Sequence, residues 1–220
     1  MERKIVIPGT PVGSADQHKP GRGTFKEGNM IYSNLLGILE ERSEYLNVIS
    51  LSGVYDPVEG DTVIGIVEEA SKRNWLLDIN APYPALLRVD EVPWRVEYGE
   101  TAKYINTGEV IVANVAFVNE ARNIELSMRG NHSKKVDEGI IVDVQPSKVP
   151  RVIGKNGSMV ALLREHTGCW IFVGQNGRVW IKGDDDKMSL LEAAINKIER
   201  EAHTSGLTNK IEEFLKREVD

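Results

Sequence analysis

The stretch that decides the fold of the last third of this chain reads Val149-Pro150-Arg151-Val152-Ile153-Gly154-Lys155-Asn156-Gly157-Ser158. Pro150 suits the first turn of a short helix, where a missing N–H costs nothing, and Gly154 suits its end. Ser158 is a suitable N-cap for a second helix, which Gly168 ends. The pattern predicts two short helices joined by a loop with a glycine at each end.

Strands are predicted on both sides of these helices. Residues 140–144 form an apolar run typical of a strand. Residues 170–173 and 178–182 flank Asn176-Gly177, a dipeptide typical of a hairpin turn. A final helix follows, and its apolar stripe is interpreted as core: Met188, Leu191, Ile195, Ile198 and Ala202. The predicted order is β-α-α-β-β-α.

This order suggests a function for the glycine loop. Gly154 and Gly157 let the backbone turn sharply and approach a nucleic acid, and the next helix offers N–H groups to phosphates. Lys155 adds positive charge beside Asn156, and Arg151 lies one turn earlier. In a β-α-α-β-β-α unit, the KH fold places its RNA-contacting Gly-x-x-Gly loop at this junction. We predict a C-terminal KH domain with an RNA site at these five residues; the alternative is a structural turn.

Upstream, the sequence predicts small β modules. Residues 60–67 and 108–115 are similar glycine-led runs, and shorter strands are predicted at 75–79 and 124–127. This spacing suits a five-stranded OB-type barrel, although any antiparallel sheet could produce the similarity. Residues 1–54 read as short strands, with a Gly- and Pro-rich stretch at 9–23 that is either a protein-contacting loop or an ordinary one. The predicted fold is multidomain and mainly β, with an α+β module at the end.

Charge is segregated along the chain. The net charge of -6 and the pI near 5.4 argue against a strongly basic nucleic-acid-binding protein. Between residues 129 and 168, however, seven basic residues outnumber four acidic ones, whereas ten acidic residues outnumber six basic ones between 184 and 220. A strongly electrostatic RNA site is therefore not expected. The pattern favours a weak, local site whose RNA binding is assisted by a partner protein.

We predict no catalytic residues, no metal and no cofactor. Cys169 has no second cysteine to pair with, and the four histidines match no zinc spacing. Asp184-Asp185-Asp186 precedes the final helix, where carboxylates cap N–H groups, so we interpret it as a helix start and not as a metal cluster. No nucleophile is paired with a base along the sequence. An enzyme remains the first alternative, because a site assembled from distant residues leaves no local pattern.

The sequence shows no sign of a membrane or secreted protein. No apolar run approaches the length of a spanning helix, and the N-terminus lacks the pattern of a secretory signal. A cytoplasmic protein is expected.

The motifs together resemble one family. The run Val149 to Gly157, the upstream Tyr55-Asp56-Pro57-Val58-Glu59-Gly60-Asp61-Thr62-Val63-Ile64-Gly65 and the opening Ile7-Pro8-Gly9 are similar to the RNA-binding cap subunit of the archaeal exosome. The resemblance implies an N-terminal docking module at 1–54, an S-one-type OB module at 55–131, a KH module at 132–206 and a helical tail at 207–220.

The resemblance also implies a function. Three non-catalytic caps are expected on a hexameric ring of RNase PH-like subunits, capturing single-stranded RNA, adenine-rich tails above all, for phosphorolytic 3′-to-5′ degradation. The N-terminal modules would dock on the ring and the OB modules would surround its pore. The second alternative is a standalone RNA-binding adaptor of translation or mRNA control, which needs no docking module.

RNA contacts by the predicted barrel are harder to assign. Barrels of the S-one class often present aromatic side chains on one sheet face, but here the corresponding strand offers only Trp75, which alternation could equally place in the core. RNA contact would then depend on Lys72, Arg73 and Arg122, which could equally be solvated loop residues.

Overall fold

The computed structural model describes residues 4–204 and 206–219. The chain separates into two compact units, Met1–Gly53 and Val54–Asp220. Among the residues described, no helix combines the length and the apolar composition that crossing a bilayer requires.

The first unit consists of two small sheets. Its strands are β1 (Ile5–Val6), β2 (Pro11–Ser14), β3 (Lys19–Pro20), β4 (Thr24–Glu27), β5 (Met30–Ser33), β6 (Gly37–Arg42) and β7 (Tyr45–Ser50). One sheet has the order β1-β6-β7-β3 and the other β2-β5-β4. Val6, Ile31, Leu46 and Val48 are buried and form the interior. The prediction of short strands for this part of the chain is confirmed.

The stretch 9–23 is more ordered than its glycines and prolines suggest. It contains β2 and β3, and β3 runs parallel to β7 at the edge of its sheet. The N–H of Lys19 donates to the carbonyl of Glu44 at 2.7 Å, and that of Gly21 to the carbonyl of Leu46 at 3.0 Å. Pro20 is tolerated because an edge strand needs no donor on its outer side.

The second unit begins with a closed five-stranded barrel, as predicted. Its strands are β8 (Thr62–Ala70), β9 (Asn74–Asp78), β10 (Ala85–Arg88), β11 (Val110–Val118) and β12 (Ile124–Ser127), and a short helix, α1 (Thr101–Tyr104), precedes β11. The sheet order is β12-β10-β9-β8-β11, and pairing of β12 with β11 closes it. The two similar glycine-led runs of the sequence are the antiparallel neighbours β8 and β11. A further strand, β13 (Lys134–Val136), lies in the range predicted for the KH module but pairs with β11.

The rest of the second unit has the KH order. It comprises β14 (Ile140–Asp143), α2 (Val149–Ile153), α3 (Ser158–Thr167), β15 (Trp170–Val173), β16 (Arg178–Lys182), α4 (Asp185–Glu201) and α5 (Leu207–Val219). The antiparallel sheet order is β14-β16-β15. Residues of all four helices share one core with the sheet, among them Val152, Leu163, Ile171, Ile195 and Ile211. Helix α5, expected as a tail, therefore packs into the same core as the helices before it.

One predicted helix start is wrong by a residue. Ser158 is the first residue of α3, and Gly157 is the N-cap, with a left-handed φ of 80°. Only the backbone of Gly157 enters the cap, so no side-chain capping hydrogen bond forms there. The glycine loop consequently runs directly into the helix.

The barrel and the KH sheet share an interface that hydrogen bonds fix in register. Ile64 of β8, Val112 of β11 and Trp180 of β16 form a small buried cluster between them. The Asn176 side chain accepts from the N–H of Ile64 at 3.2 Å and donates to the carbonyls of Ile64 at 2.8 Å and Ile79 at 2.9 Å. The buried Arg178 guanidinium donates to the carbonyl of Asp78 at 2.6 Å and pairs with its carboxylate. We call this set of contacts the barrel–KH interface.

Candidate nucleic-acid interface

The KH loop, Gly154 to Gly157, has a backbone that only its own sequence accommodates easily. Helix α2 ends at Gly154, which has φ 75° and ψ 172°. A Cβ at this position would lie 2.6 Å from the backbone nitrogen of Met159, so no other residue fits without a shift. Asn156 is left-handed with φ 53°, a conformation that asparagine tolerates better than most residues, and Gly157 is left-handed as well. The loop is a sharp turn between two helices.

The loop presents its backbone and its charges outward. Arg151, Lys155 and Asn156 are exposed, and a Cβ added at Gly157 would meet no atom within 4 Å. The space beside Gly157 is therefore open to a ligand, and the N-terminus of α3 lies next to it. The structure thus brings the four predicted residues of the KH loop together with Arg151 of α2.

A shallow cavity of about 510 Å³ lies beside the loop. The described residues that line it include two cations and no carboxylate: Arg151, Lys155, Ser158, His203, Thr204 and Thr208. An anionic ligand would therefore meet positive and neutral groups here, although the chain as a whole is acidic.

The barrel residues predicted to touch RNA are not all together. Lys72 and Arg73 lie in the turn between β8 and β9, whereas Arg122 lies in the turn between β11 and β12. Because β8 and β11 are antiparallel neighbours, these turns are at opposite ends of the barrel. Arg122 forms an ion pair with Asp56, whereas neither Lys72 nor Arg73 forms an ion pair among the described residues.

Trp75 belongs to the core, which decides between the two interpretations of its strand. Its side chain is fully buried in the barrel, and its indole N–H donates to the carbonyl of Ile105 at 2.8 Å. Of the two interpretations left open by the alternation, the core position is the observed one, so Trp75 is not presented to RNA. An exposed aromatic group, Tyr98, lies beside one of the predicted cations, with its ring centre 5.2 Å from the guanidinium carbon of Arg73.

Sequence reasoning missed Tyr98, Asn176 and Arg178. Asn176 was assigned only to a hairpin turn, which it does occupy between β15 and β16. A signal was available, because Gly174-Gln175-Asn176-Gly177 repeats the Gly-x-Asn-Gly pattern of the KH loop. No sequence signal marks Tyr98, since exposure of a loop residue depends on the packing of the loop.

The acidic run before the final helix lies where it was expected. Asp184 is the N-cap residue of α4 and Asp185 and Asp186 occupy its first turn, where they complement the helix dipole, although Asp184 forms no side-chain capping hydrogen bond. Lys187 lies 3.3 Å from the Asp184 carboxylate. Over residues 4–204 and 206–219, no group of three or more His, Cys, Asp or Glu side chains is placed to hold a metal ion.

Comparisons with known proteins cover nearly the whole chain. Residues 5–40 match the family described as the exosome complex exonuclease RRP4 N-terminal region, and residues 139–187 match the KH domain. The exosome complex component Rrp4 of Methanosarcina mazei is 47% identical over 218 residues, which cover 99% of this chain and 84% of that protein. The protein of the same name from Thermoplasma acidophilum is 41% identical and covers 97% of this chain and 90% of its own length.

A solved structure shows the same fold. It is a crystal structure described as an exosome complex RNA-binding protein, 36% identical to this chain, with a TM-score of 0.70. The match covers 76% of this chain and 98% of that one. At this identity and coverage, the chain belongs to the family of the exosome complex component Rrp4.

Proposed function

We propose that this chain is a non-catalytic RNA-binding cap component of the exosome. It captures single-stranded RNA and passes it to a hexameric ring of RNase PH-like subunits for 3′-to-5′ degradation, with three such caps on a ring and a preference for adenine-rich tails. The observation that carries the proposal is the open KH loop between α2 and α3. The names of the relatives and the description of the solved structure support the setting in the exosome.

RNA capture by the KH loop follows from its geometry and charge. A phosphate can approach the backbone at Gly157 because no atom lies within 4 Å of a Cβ placed there, and the positive end of the α3 dipole is adjacent. Arg151 and Lys155 add charge next to that position. With so few cations the affinity of the loop alone should be modest and only weakly salt-dependent, so capture depends on further contacts.

Docking on the ring is assigned to the first unit because one of its sheet faces is apolar and exposed. Ile5, Ile38 and Ile49 lie side by side on neighbouring strands β1, β6 and β7. Ile5 is 65% exposed and Ile49 is 46% exposed, and Leu36 and Leu51 are exposed close by. A contiguous apolar patch on a small unit is typical of a protein–protein contact. We propose that this sheet face contacts the ring, in a cytoplasmic complex.

The proposal includes no chemistry for this chain, although the description of the matched N-terminal family contains the word exonuclease. The described residues offer no cluster of metal-binding side chains, and the sequence pairs no nucleophile with a base. The ring subunits would supply the phosphorolytic sites. The purified chain should therefore degrade no labelled RNA on its own, with magnesium or phosphate present.

Reconstitution with the ring tests the proposal. Ring subunits are mixed with the full chain or with residues 54–220, and elution and decay of an adenine-tailed RNA are compared. The full chain should elute with the ring and accelerate decay, whereas residues 54–220 should do neither. RNA turnover by the chain without the ring would contradict the non-catalytic assignment. Failure of the full chain to join the ring would favour the adaptor.

A further inference from the structure

The loop between β10 and β11 holds the most exposed Phe, Tyr or Trp side chain among the described residues. Tyr98 is 67% exposed, more than any other aromatic residue in this part of the protein. Large aromatic side chains gain free energy from burial, so one held in solvent contributes little to folding. Its ring is therefore accessible to a ligand.

Hydrogen bonds hold the backbone around Tyr98 in place. The N–H of Gly99 donates to the carbonyl of Lys72 at 3.1 Å. The hydroxyl of the buried Thr101 donates to the carbonyl of Ser71 at 2.5 Å. The loop is thereby attached to the β8–β9 turn at two positions directly after the tyrosine. A ring presented by an ordered backbone binds a ligand with a smaller loss of conformational entropy than one on a free loop.

The charges next to this ring are available to a ligand. The guanidinium of Arg73 lies over the Tyr98 ring, 5.2 Å from its centre, and Lys72 is the adjacent residue. Two other cations at this end of the barrel are neutralised, because Arg88 pairs with Asp90 and Lys103 pairs with Glu100. Lys72 and Arg73 have no such carboxylate among the described residues. Two cations without carboxylate partners, beside an exposed aromatic ring, favour an anionic ligand with flat apolar faces.

We propose that Tyr98 and Arg73 form a base-stacking site for single-stranded RNA, with Lys72 contacting an adjacent phosphate. This inference rests on the proposed RNA-binding function and names a second contact for the same strand. Every nucleobase has a π-face, so a tyrosine and a guanidinium plane bind it with little sequence preference. Because Trp75 is buried in the core, it cannot stack on a base. The exposed Tyr98 provides an aromatic group on a loop of the barrel instead.

Substitutions at Tyr98 test the site in the full chain. Binding of a fluorescein-labelled oligoadenylate is followed by anisotropy at fixed ionic strength. Tyr98→Ala should weaken binding about tenfold, within the range for loss of one stacked base, and Tyr98→Phe should stay within about twofold of the parent. Tyr83→Ala is the matched control, because Tyr83 is 55% exposed in the β9–β10 turn at the opposite end of β9. It should leave affinity unchanged.

A second probe separates stacking from a structural effect. An oligonucleotide of the same backbone with abasic sites offers phosphates but no bases, so the parent chain and Tyr98→Ala should bind it equally. An equal loss on both probes, or unchanged binding of oligoadenylate, would overturn the stacking site. If Tyr98→Ala binds RNA normally but no longer associates with the RNase PH-like subunits, Tyr98 is a protein contact and the stacking site is wrong. If Lys155→Glu weakens binding and Tyr98→Ala does not, only the stacking site fails; a parent chain that binds neither probe overturns the RNA-binding function as well.

Discussion

The chain contains the pattern Gly-x-Asn-Gly twice, and the two copies do opposite things. In the KH loop, Asn156 is exposed, left-handed, and bonded to no other described residue through its side chain. In the turn between β15 and β16, Asn176 is fully buried, and its amide group bonds to the backbone of β8 and to Ile79. The same four-residue pattern is thus a ligand-facing loop in one place and an internal fastening in the other.

The glycines that end the two copies show what makes the difference. Gly157 and Gly177 have nearly the same left-handed φ, 80° and 84°. A Cβ at Gly157 would meet nothing within 4 Å, whereas a Cβ at Gly177 would collide with the carbonyl oxygen of Val144. The local conformation is therefore shared, and the surroundings decide the role. A glycine corner with open space beside it can accept a phosphate, and one closed by the fold cannot.

The largest expected effect is the loss of stability when the side chain of Asn176 is removed, compared with removal of that of Asn156. Asn176→Ala removes the partner of the Ile64 N–H and that of the Ile79 carbonyl, and leaves the Ile64 carbonyl with the 3.3 Å bond from Arg178. It should lower the free energy of unfolding by about 2–4 kcal/mol. Asn156→Ala, the matched control, should cost less than about 1 kcal/mol, because only its left-handed preference is lost.

Urea denaturation followed by tryptophan fluorescence measures this difference. All four tryptophans lie within residues 54–220, so the signal reports the unit that contains both asparagines. Equal losses of stability in the two variants would mean that the barrel–KH interface contributes nothing through Asn176.

The second expected effect is on RNA affinity. Here substitutions in the KH loop should have the large effect, and a substitution in the turn between β15 and β16 should have none. Lys155→Glu places a carboxylate next to the open backbone and should weaken binding of single-stranded RNA about tenfold, with a shallower dependence on salt. Gly157→Asp should act in the same direction. Gln175→Glu adds a negative charge at the equivalent exposed position of the second copy and should leave affinity unchanged.

Anisotropy titrations at several salt concentrations give both the affinity and its salt dependence. Binding that is insensitive to Lys155→Glu and to Gly157→Asp would show that the KH loop is only a turn, and RNA binding would then belong to the barrel.

The smallest expected effect concerns the ion pair behind the second copy. Burial alone raises the pKa of Asp78, but hydrogen bonds from Arg178 and from the N–H of Asn80, with the charge of Arg178, hold it below its ordinary value of 3.8. Because folding lowers this pKa, the pair stabilises the fold fully above the ordinary value and loses its contribution as the pH falls through the folded value.

Asp78→Asn should therefore lower the melting temperature at pH 7 and lower it less near pH 2, because protonation of the parent carboxyl weakens the same ion pair as the pH falls. The loss at pH 7 should be below about 1 kcal/mol, since this carboxylate is 39% exposed and solvent screens it. A difference in melting temperature of the same size at both pH values would argue against the ion pair as its cause.

Local sequence patterns predicted the elements of this fold but not the contacts between them. The KH order and the glycine loop depend on turns, helix ends and apolar stripes within a few residues, and these were predicted. Trp75 could not be assigned because its hydrogen-bond partner, Ile105, lies thirty residues away. Asn176 was assigned to the correct turn, yet its partner Ile64 lies 112 residues away. The start of α3 was predicted one residue too late, because a left-handed glycine, Gly157, and not the Ser158 side chain, is its N-cap.

The barrel–KH interface also has a consequence for the lengths of RNA that the chain can hold. Since Asn176 and Arg178 join the KH sheet to β8 and Asp78, the KH loop and the Tyr98 site cannot move apart or together freely. The two RNA contacts are then separated by a fixed distance. Oligonucleotides shorter than the span engage one contact, and those long enough to reach both gain the second at high effective concentration. Affinity should consequently rise in a step as the RNA is lengthened. The RNA length at which the step occurs measures the distance between the two contacts.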